Sequence, residues 1–333
     1  MTTSIAPEFH VVFPLWGPVG GVVKILDYLH HTVDVGFERA VAWGPPLPGD
    51  KAPIREHAAY RKAQEDPRIS FGLLKDLTLP KDAWVLFSEP SQHPDIERAL
   101  PPGSDRHHVI HLVQNTRHAN PSWHLGFPYL LLHRPVTRIF VTNEVAEAVE
   151  PVANKRFPAI TIVEGHDWPF FSMTSPRDAE GPIRVGYMTW KSTIGDRVAD
   201  RMAADMNYTF RAIRKPATWV ELRELYHSTD VLLCAPGPEE GFYLPGLEAM
   251  AASNVVVSAF VGGNKAYLRE DENCLRAEFE DVDSHVAALH RLRDEPDLWD
   301  RLLTGGHAAT ERHTLERERN EFAAFIATLN HSD

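Results

Sequence analysis

"PGPEEGFYLPGLEAMAASNVVV", Pro236 to Val257, decides how this chain is read. An apolar run, Val231-Leu232-Leu233, leads into it, and Val255-Val256-Val257 ends it. Short apolar runs bounded by turn residues read as buried strands. Between them lie a loop rich in Pro and Gly and then "GLEAMAA", built from strong helix formers. The stretch is therefore strand, loop, helix, strand, one unit of a parallel α/β sheet. Two carboxylates, Glu240 and Glu248, flank its Gly-Phe-Tyr-Leu-Pro turn. Pro245 suits the first helical position, which predicts Glu248 in the first turn. Unpaired amides and the positive end of the helix dipole make an anion site there. An acid in that turn is also favourable with the dipole alone, so Glu248 by itself leaves both readings open.

The same rhythm runs outward. The first half predicts strands near His10–Phe13, Ala40–Trp43, Trp84–Phe87, Val109–Val113, Arg138–Val141 and Ile160–Val163, with helices near Val22–Leu29, Ile54–Ala63 and Glu144–Val149. The second half predicts strands near Ile183–Tyr187, Tyr208–Arg211, Val231–Cys234 and Val255–Ser258. Its helices fall near Arg197–Met206, Trp219–Tyr226, Leu247–Ala252 and Asn264–Arg269, and Val282 to Leu329 reads as almost wholly helical. Glu164 to Pro182 is rich in Pro, Gly, Ser and charge without a sustained period, and reads as a linker. The fold class expected is α/β: two Rossmann-like, doubly wound domains, whose strand C-termini flank one central cleft.

Composition narrows the function. The chain has 333 residues, enough for two domains, and 43% are hydrophobic, enough for two cores. Net charge is −12; of 34 Lys+Arg and 46 Asp+Glu, residues 1–165 hold 16 and 18, leaving 18 and 28 for residues 166–333. So acidic a second half argues against nucleic acid as a partner. No apolar run is long enough to cross a bilayer, and no charged-then-apolar leader follows Met1. Cys234 and Cys274 sit in apolar strand-like runs, which fits a reducing cytoplasm rather than a disulfide framework.

The Pro236–Val257 stretch resembles the retaining glycosyltransferases of family 4, the glycosyl transferases group 1, whose fold is called GT-B. Their signature is Glu, seven residues, Glu around a Gly-Phe-Gly-Leu-Pro turn; here it is Glu240, "GFYLPGL", Glu248. The likeness runs back through "LYHSTDVLL" and on through the Gly262-Gly263-Asn264 turn to about residue 290, with one departure, Tyr243 where Gly is usual. The resemblance implies that Glu248 holds the ribose hydroxyls of a nucleotide-sugar. It implies that Glu240 contacts the donor sugar, and that backbone amides around Phe242, Tyr243 and Leu244 face sugar and diphosphate. Glu239 reads as a solvated neighbour.

Three further clusters carry candidates. In "IRVGYMTWKSTIGD", Ile183 to Asp196, a strand enters a loop bearing Lys191. The family places an Arg shortly after the strand's Gly; here Tyr187 follows Gly186, and Lys191 fills the remaining cationic role, a compact charge suited to phosphate. An exposed loop lysine is the plain alternative. Arg214 falls where the family's base-binding loop lies, as a second cation or a stacking partner, or as an exposed Arg. In "FPLWGPVGGVVKIL" the dinucleotide spacing is absent, and Gly20 and Gly21 match the family's first loop or serve close strand–helix packing. In "HHVIHLVQNTRHANPSWH", strand alternation would put His107 and His111 on one face and His108 on the other, without a third ligand, so no metal is expected. Gln114 or His118 takes the polar contact to the donor that a family His usually makes; packing is the alternative for His118.

The resemblance implies a glycosyltransferase moving a sugar from a nucleoside-diphosphate sugar to an acceptor hydroxyl with retention, through Glu240, Lys191 and His118. Glu248, Phe242, Tyr243, Leu244, Gly20, Gly21, Arg214 and Gln114 would bind donor. Residues 1–165 would bind acceptor, 166–312 donor, and 313–333 would form a helix packing back on the first domain. The resemblance implies no cofactor beyond the donor substrate. The acceptor is left open among glycan, lipid-linked glycan and small natural product, as are base, sugar and oligomeric state. A GT-B sugar-nucleotide epimerase and a non-catalytic nucleotide-sugar binder are the alternatives.

Overall fold

The structure, a computed structural model, describes residues 8–17, 19–47, 49–123, 127–173 and 181–329. Residues 174–180 of the expected linker and His124 of the histidine-rich stretch lie outside them. The chain divides into two units, Met1–Glu164 with Leu315–Asp333, and Gly165–Thr314.

In the first unit the strands are β1 (Glu8–Val12), β2 (Arg39–Gly44), β3 (Ile69–Leu73), β4 (Trp84–Phe87), β5 (Val109–Val113), β6 (Thr137–Phe140) and β7 (Ala159–Thr161). They form one parallel sheet in the order β3-β2-β1-β4-β5-β6-β7. Its helices are α1 (Gly20–Asp34), α2 (Ala58–Glu65), α3 (His93–Ala99), α4 (Phe127–Leu132) and α5 (Asn143–Val149). In the second unit α6 (Trp168–Phe171) precedes β8 (Ile183–Met188), α7 (Ile194–Arg201), β9 (Tyr208–Ile213), α8 (Trp219–His227) and β10 (Val231–Cys234). Then come α9 (Leu244–Ala251), β11 (Val255–Ser258), β12 (Cys274–Arg276), α10 (Val282–Asp294) and α11 (Pro296–Arg312). The second sheet is also parallel, in the order β12-β11-β10-β8-β9.

Both orders are doubly wound. The strand order reverses between β1 and β4 in the first sheet and between β8 and β10 in the second. Helices cover both faces, so central strands are buried throughout: β4, β5, β6, β10 and β11 have no exposed residue. That burial makes Val231–Leu233 and Val255–Val257 read as continuous apolar runs.

The last helix, α12 (Leu315–Leu329), belongs to the first unit and adds Phe322, Phe325, Ile326 and Leu329 to its core beside Phe9, Tyr28 and Trp84. Its first turn is held by charge. Lys24 of α1 lies 2.9 Å from Asp27 and 2.9 Å from Glu318, and His31 lies 3.2 Å from the same Glu318 oxygen. Lys24 and Glu318 are fully buried, a placement charges tolerate only when paired.

Some elements differ from expectation. β3 and β12 carry too weak a pattern to be predicted, being an edge strand with four half-buried residues and a three-residue strand. The expected Asn264–Arg269 helix is a 3₁₀ turn over Gly262–Ala266. His107 and His108 precede β5 in a 3₁₀ turn, Arg106–His108, so strand alternation does not govern them.

Candidate functional site

Ligands of doubly wound sheets bind beyond the strand C-termini where the order reverses. In the second unit that point is flanked by the segments leaving β8 and β10. The first carries Lys191 and the second Glu240, and the fold joins them: Lys191 Nζ and Glu240 Oε1 form an ion pair. Lys191 Nζ also lies 5.3 Å from the centroid of the Tyr243 ring, within cation–π range. The Lys191 side chain is 40% exposed and that of Glu240 21%. A pair this solvated is weak, so Lys191 can exchange Glu240 for a phosphate oxygen at little cost.

Glu248 sits differently. The helix begins at Leu244, with Tyr243 as its N-cap and no acid in its first turn, so Glu248 is the fifth residue and lies in the second turn. This corrects the first-turn expectation by the one-residue shift of the helix start, which places Pro245 second. Glu248 is buried; Oε2 accepts the Tyr226 hydroxyl at 2.7 Å, and Oε1 lies 3.3 Å from His166 Nε2, off the hydrogen-bonding angle. Burial, reinforced by Glu248, raises the Tyr226 hydroxyl well above its ordinary pKa, so it stays a donor. A carboxylate offers about four lone-pair sites, so each oxygen keeps room for another donor. Phe242, Tyr243 and Leu244 are all buried, and the Tyr267 hydroxyl donates to the Tyr243 carbonyl.

The Gly262-Gly263-Asn264 turn braces this loop from behind. Gly263 N–H donates to the Glu240 carbonyl at 2.8 Å. A Cβ on Gly263 would lie 1.5 Å from the Gly241 carbonyl oxygen, and Gly262 has φ +53°. Asn264 is buried and clamps the turn, accepting from Val261 N at 3.1 Å and donating to the Ala259 carbonyl at 2.7 Å.

Tyr187, standing where an Arg was expected, donates its hydroxyl to Asp196 at 2.8 Å; burial first and then this bond push it up to about 12. Arg214 pairs with the other Asp196 oxygen at 2.7 Å, and its side chain is 64% exposed. The structure thus brings Lys191, Glu240 and Tyr243 together, and ties Arg214 to the start of α7.

In the first unit the reversal lies between β1 and β4, and Gly20 and Gly21 open α1 there with exposed backbone. Gln114 Nε2 donates to the Gly21 carbonyl at 3.1 Å and to Ser88 Oγ at 2.8 Å. A Cβ on Gly21 would lie 3.2 Å from Gln114 Oε1, so the glycine admits this approach. His118 is buried, its Nδ1 without a hydrogen-bond partner, and its ring lies parallel to His111 at 6.0 Å. Burial, with the Arg117 charge second, lowers His118 to about 4, so it is neutral near pH 7.

Sequence reasoning misses Tyr226 and His166 as neighbours of Glu248, because an aromatic on a helix reads as packing and His166, at the domain boundary, reads as a hinge polar group. It also misses Glu280, which receives the Ser192 hydroxyl and Arg197. Among the described residues, no group of three or more His, Cys, Asp and Glu is placed to hold a metal, and no helix is long and apolar enough to cross a membrane.

Residues 200–295 match the family described as glycosyl transferases group 1, bearing out that resemblance over a segment that contains Glu240 and Glu248. A D-inositol 3-phosphate glycosyltransferase of Thermomonospora curvata is 37% identical over 91 residues, 27% of this chain and 21% of that protein. One from Streptomyces bingchenggensis is 32% identical over 99 residues, 30% of this chain and 22% of that protein. The match thus spans about a fifth of these curated relatives. Whole-chain similarity is structural. Sucrose-phosphate synthase from Thermosynechococcus elongatus superposes with a TM-score of 0.70 at 12% identity, over 98% of this chain and 100% of that one. Anabaena HepE in complex with UDP and glucose superposes at 0.71 and 13% identity, over 96% and 99%. The fold is that of the GT-B glycosyltransferases.

Proposed function

We propose that this chain is a glycosyltransferase that moves a sugar from a nucleoside-diphosphate sugar to an acceptor hydroxyl with retention at the anomeric carbon. The observation that carries the reading is the joining of Lys191 and Glu240 at the strand-order reversal of the second sheet. In this reading the donor diphosphate takes Lys191 from Glu240, and Glu240 turns to the sugar hydroxyls. Glu248, steadied by Tyr226, accepts from the ribose, and amides around Phe242, Tyr243 and Leu244 face the diphosphate. Arg214 serves the base side. Gly20, Gly21, Gln114 and His118 line the first unit's part of the reaction, and neutral His118 can donate or accept. That HepE is complexed with UDP and glucose supports uracil as the first base to test. The anomeric C–O bond breaks with its electrons on the leaving phosphate oxygen. The acceptor oxygen attacks the same face, and its proton passes to that phosphate. Lys191 stabilises the charge where it develops. The proposed reaction calls on no metal or further cofactor and is placed in the cytoplasm; glycan, lipid-linked glycan and small natural product all suit it as acceptor.

One observation favours a second reading, a non-catalytic nucleotide-sugar binder: Tyr187 stands in place of an arginine, and its hydroxyl is committed to Asp196. Thermal shift against UDP, dTDP, GDP and ADP tests binding, and a ligand at a hundred times its Kd stabilises by about 2.7 kcal/mol. Glu248→Gln, which keeps the volume, and Lys191→Ala should each remove most of the shift. No shift with any of the four overturns the reading. Incubating the stabilising nucleotide's sugar donors with and without acceptors then separates transfer from epimerisation, and a shift without turnover selects the binder.

A further inference from the structure

Glu280 lies just before α10, remote in sequence from Lys191, with φ +58°. Left-handed backbone is uncommon outside glycine and persists where surrounding contacts over-determine it. Here those contacts are explicit. Oε1 accepts the Ser192 hydroxyl, Oε2 accepts Arg197 Nη1 at 2.9 Å, and the Glu280 carbonyl accepts Arg197 Nη2 at 3.2 Å. Ser192 Oγ in turn accepts the Ile194 N–H at 3.0 Å, at the start of α7. One carboxylate therefore ties both the end of the β8 loop and the side of α7 to the turn before α10. Lys191 is the residue immediately before Ser192.

We infer that Glu280 is a positioning residue for Lys191: by holding Ser192 and Arg197 it fixes the backbone from which the lysine reaches the donor phosphate. The inference rests on the role proposed for Lys191. A lysine on an unheld loop would sample many positions, and a phosphate would have to order it on binding. Two bonds to one carboxylate, from the Ser192 hydroxyl and the Arg197 guanidinium, with a second guanidinium bond to the Glu280 carbonyl, remove that cost in advance.

Glu280→Gly tests this, because glycine suits the left-handed backbone while deleting the carboxylate. Without nucleotide, amide exchange across residues 190–194 should quicken by about tenfold as local opening becomes easier. Affinity for the tightest of UDP, dTDP, GDP and ADP should fall by about tenfold, while affinity for its plain nucleoside stays unchanged. Glu280→Gln, which keeps an acceptor for Ser192, should recover part of both effects. In a Lys191→Ala background Glu280→Gly should cost no further nucleotide affinity, since a residue acting through another is not additive with it. Unchanged exchange at residues 190–194 overturns the inference, as does full additivity with Lys191→Ala or an equal loss of nucleoside binding. If Lys191→Ala alone leaves nucleotide affinity intact, the proposed role of Lys191 fails instead, and exchange in Glu280→Gly decides by itself whether Glu280 holds the loop.

Discussion

Gly263 shows what a single residue contributes here. Its missing side chain lets the turn after β11 press on the Gly241 carbonyl, so the loop bearing Glu240 has a rigid back. Gly263→Ala forces backbone apart where neither side can yield. We expect a loss of about 3 kcal/mol in urea unfolding, the upper range for overpacking. Nucleotide-dependent stabilisation should vanish in what remains folded; a variant with native stability and full binding would show the turn to be pliable. The sequence displays Gly262-Gly263-Asn264 plainly, and Glu240, Glu248 and Lys191 as well. What it hides is pairing. That Lys191 meets Glu240 depends on β8 and β10 being neighbours, a non-local fact. That Glu248 is buried on Tyr226 depends on how α8 packs beside α9, which no local spacing encodes.

Elements were legible in proportion to how strongly burial patterns them. Central strands buried on both faces announce themselves as apolar runs, whereas β3, half-buried at the sheet edge, does not. Cap chemistry marks helix ends in a sequence, but α9 begins with an N-cap tyrosine that makes no side-chain cap bond, so the sequence places its start one residue late. The last helix shows the opposite case, a strong pattern whose anchor is invisible. Its apolar face, with Phe322, Phe325 and Ile326, predicts packing, but the charges of α1 that meet Glu318 lie far away in sequence. Glu318→Ala takes a close carboxylate away from the buried Lys24 ammonium, and breaking a buried pair in this way costs about 3–5 kcal/mol. Replacing Lys24 and Glu318 together by Met and Leu should recover much of that loss. Calorimetry on the two variants and the parent protein checks it; a double variant no better than the single one would mean that the cluster contributes more than balance of charge.

For the molecule as a whole, buried histidines set the response to acid. His10 and His118 are held down to about 4 by burial, and His111 well below its ordinary value for the same reason. All three lie in the first unit and are neutral in the folded chain at pH 7. In the unfolded chain each titrates near its ordinary value of about 6.5. Between that value and about 4 the unfolded state binds protons that the folded state refuses, so stability rises with pH there and falls on acidification. Each histidine contributes a slope of roughly 1.4 kcal/mol per pH unit in that window. Glu318 opposes nothing in this range. Burial raises its carboxyl, but the Lys24 charge and the His31 bond outweigh that and hold it below the ordinary glutamate value, so its share of stability is lost only at more acid pH. Urea midpoints of the first unit's unfolding, followed from about pH 7 to about pH 5, should therefore fall steeply while the carboxylates remain charged. His118→Leu, which places no polar atom in the site vacated by the ring, should flatten the curve by one histidine's share. Parallel curves for the two proteins would mean that His118 takes up a proton in the folded state. It would then be open to solvent or paired with a carboxylate, and could not serve as the neutral donor that the proposed reaction assigns to it.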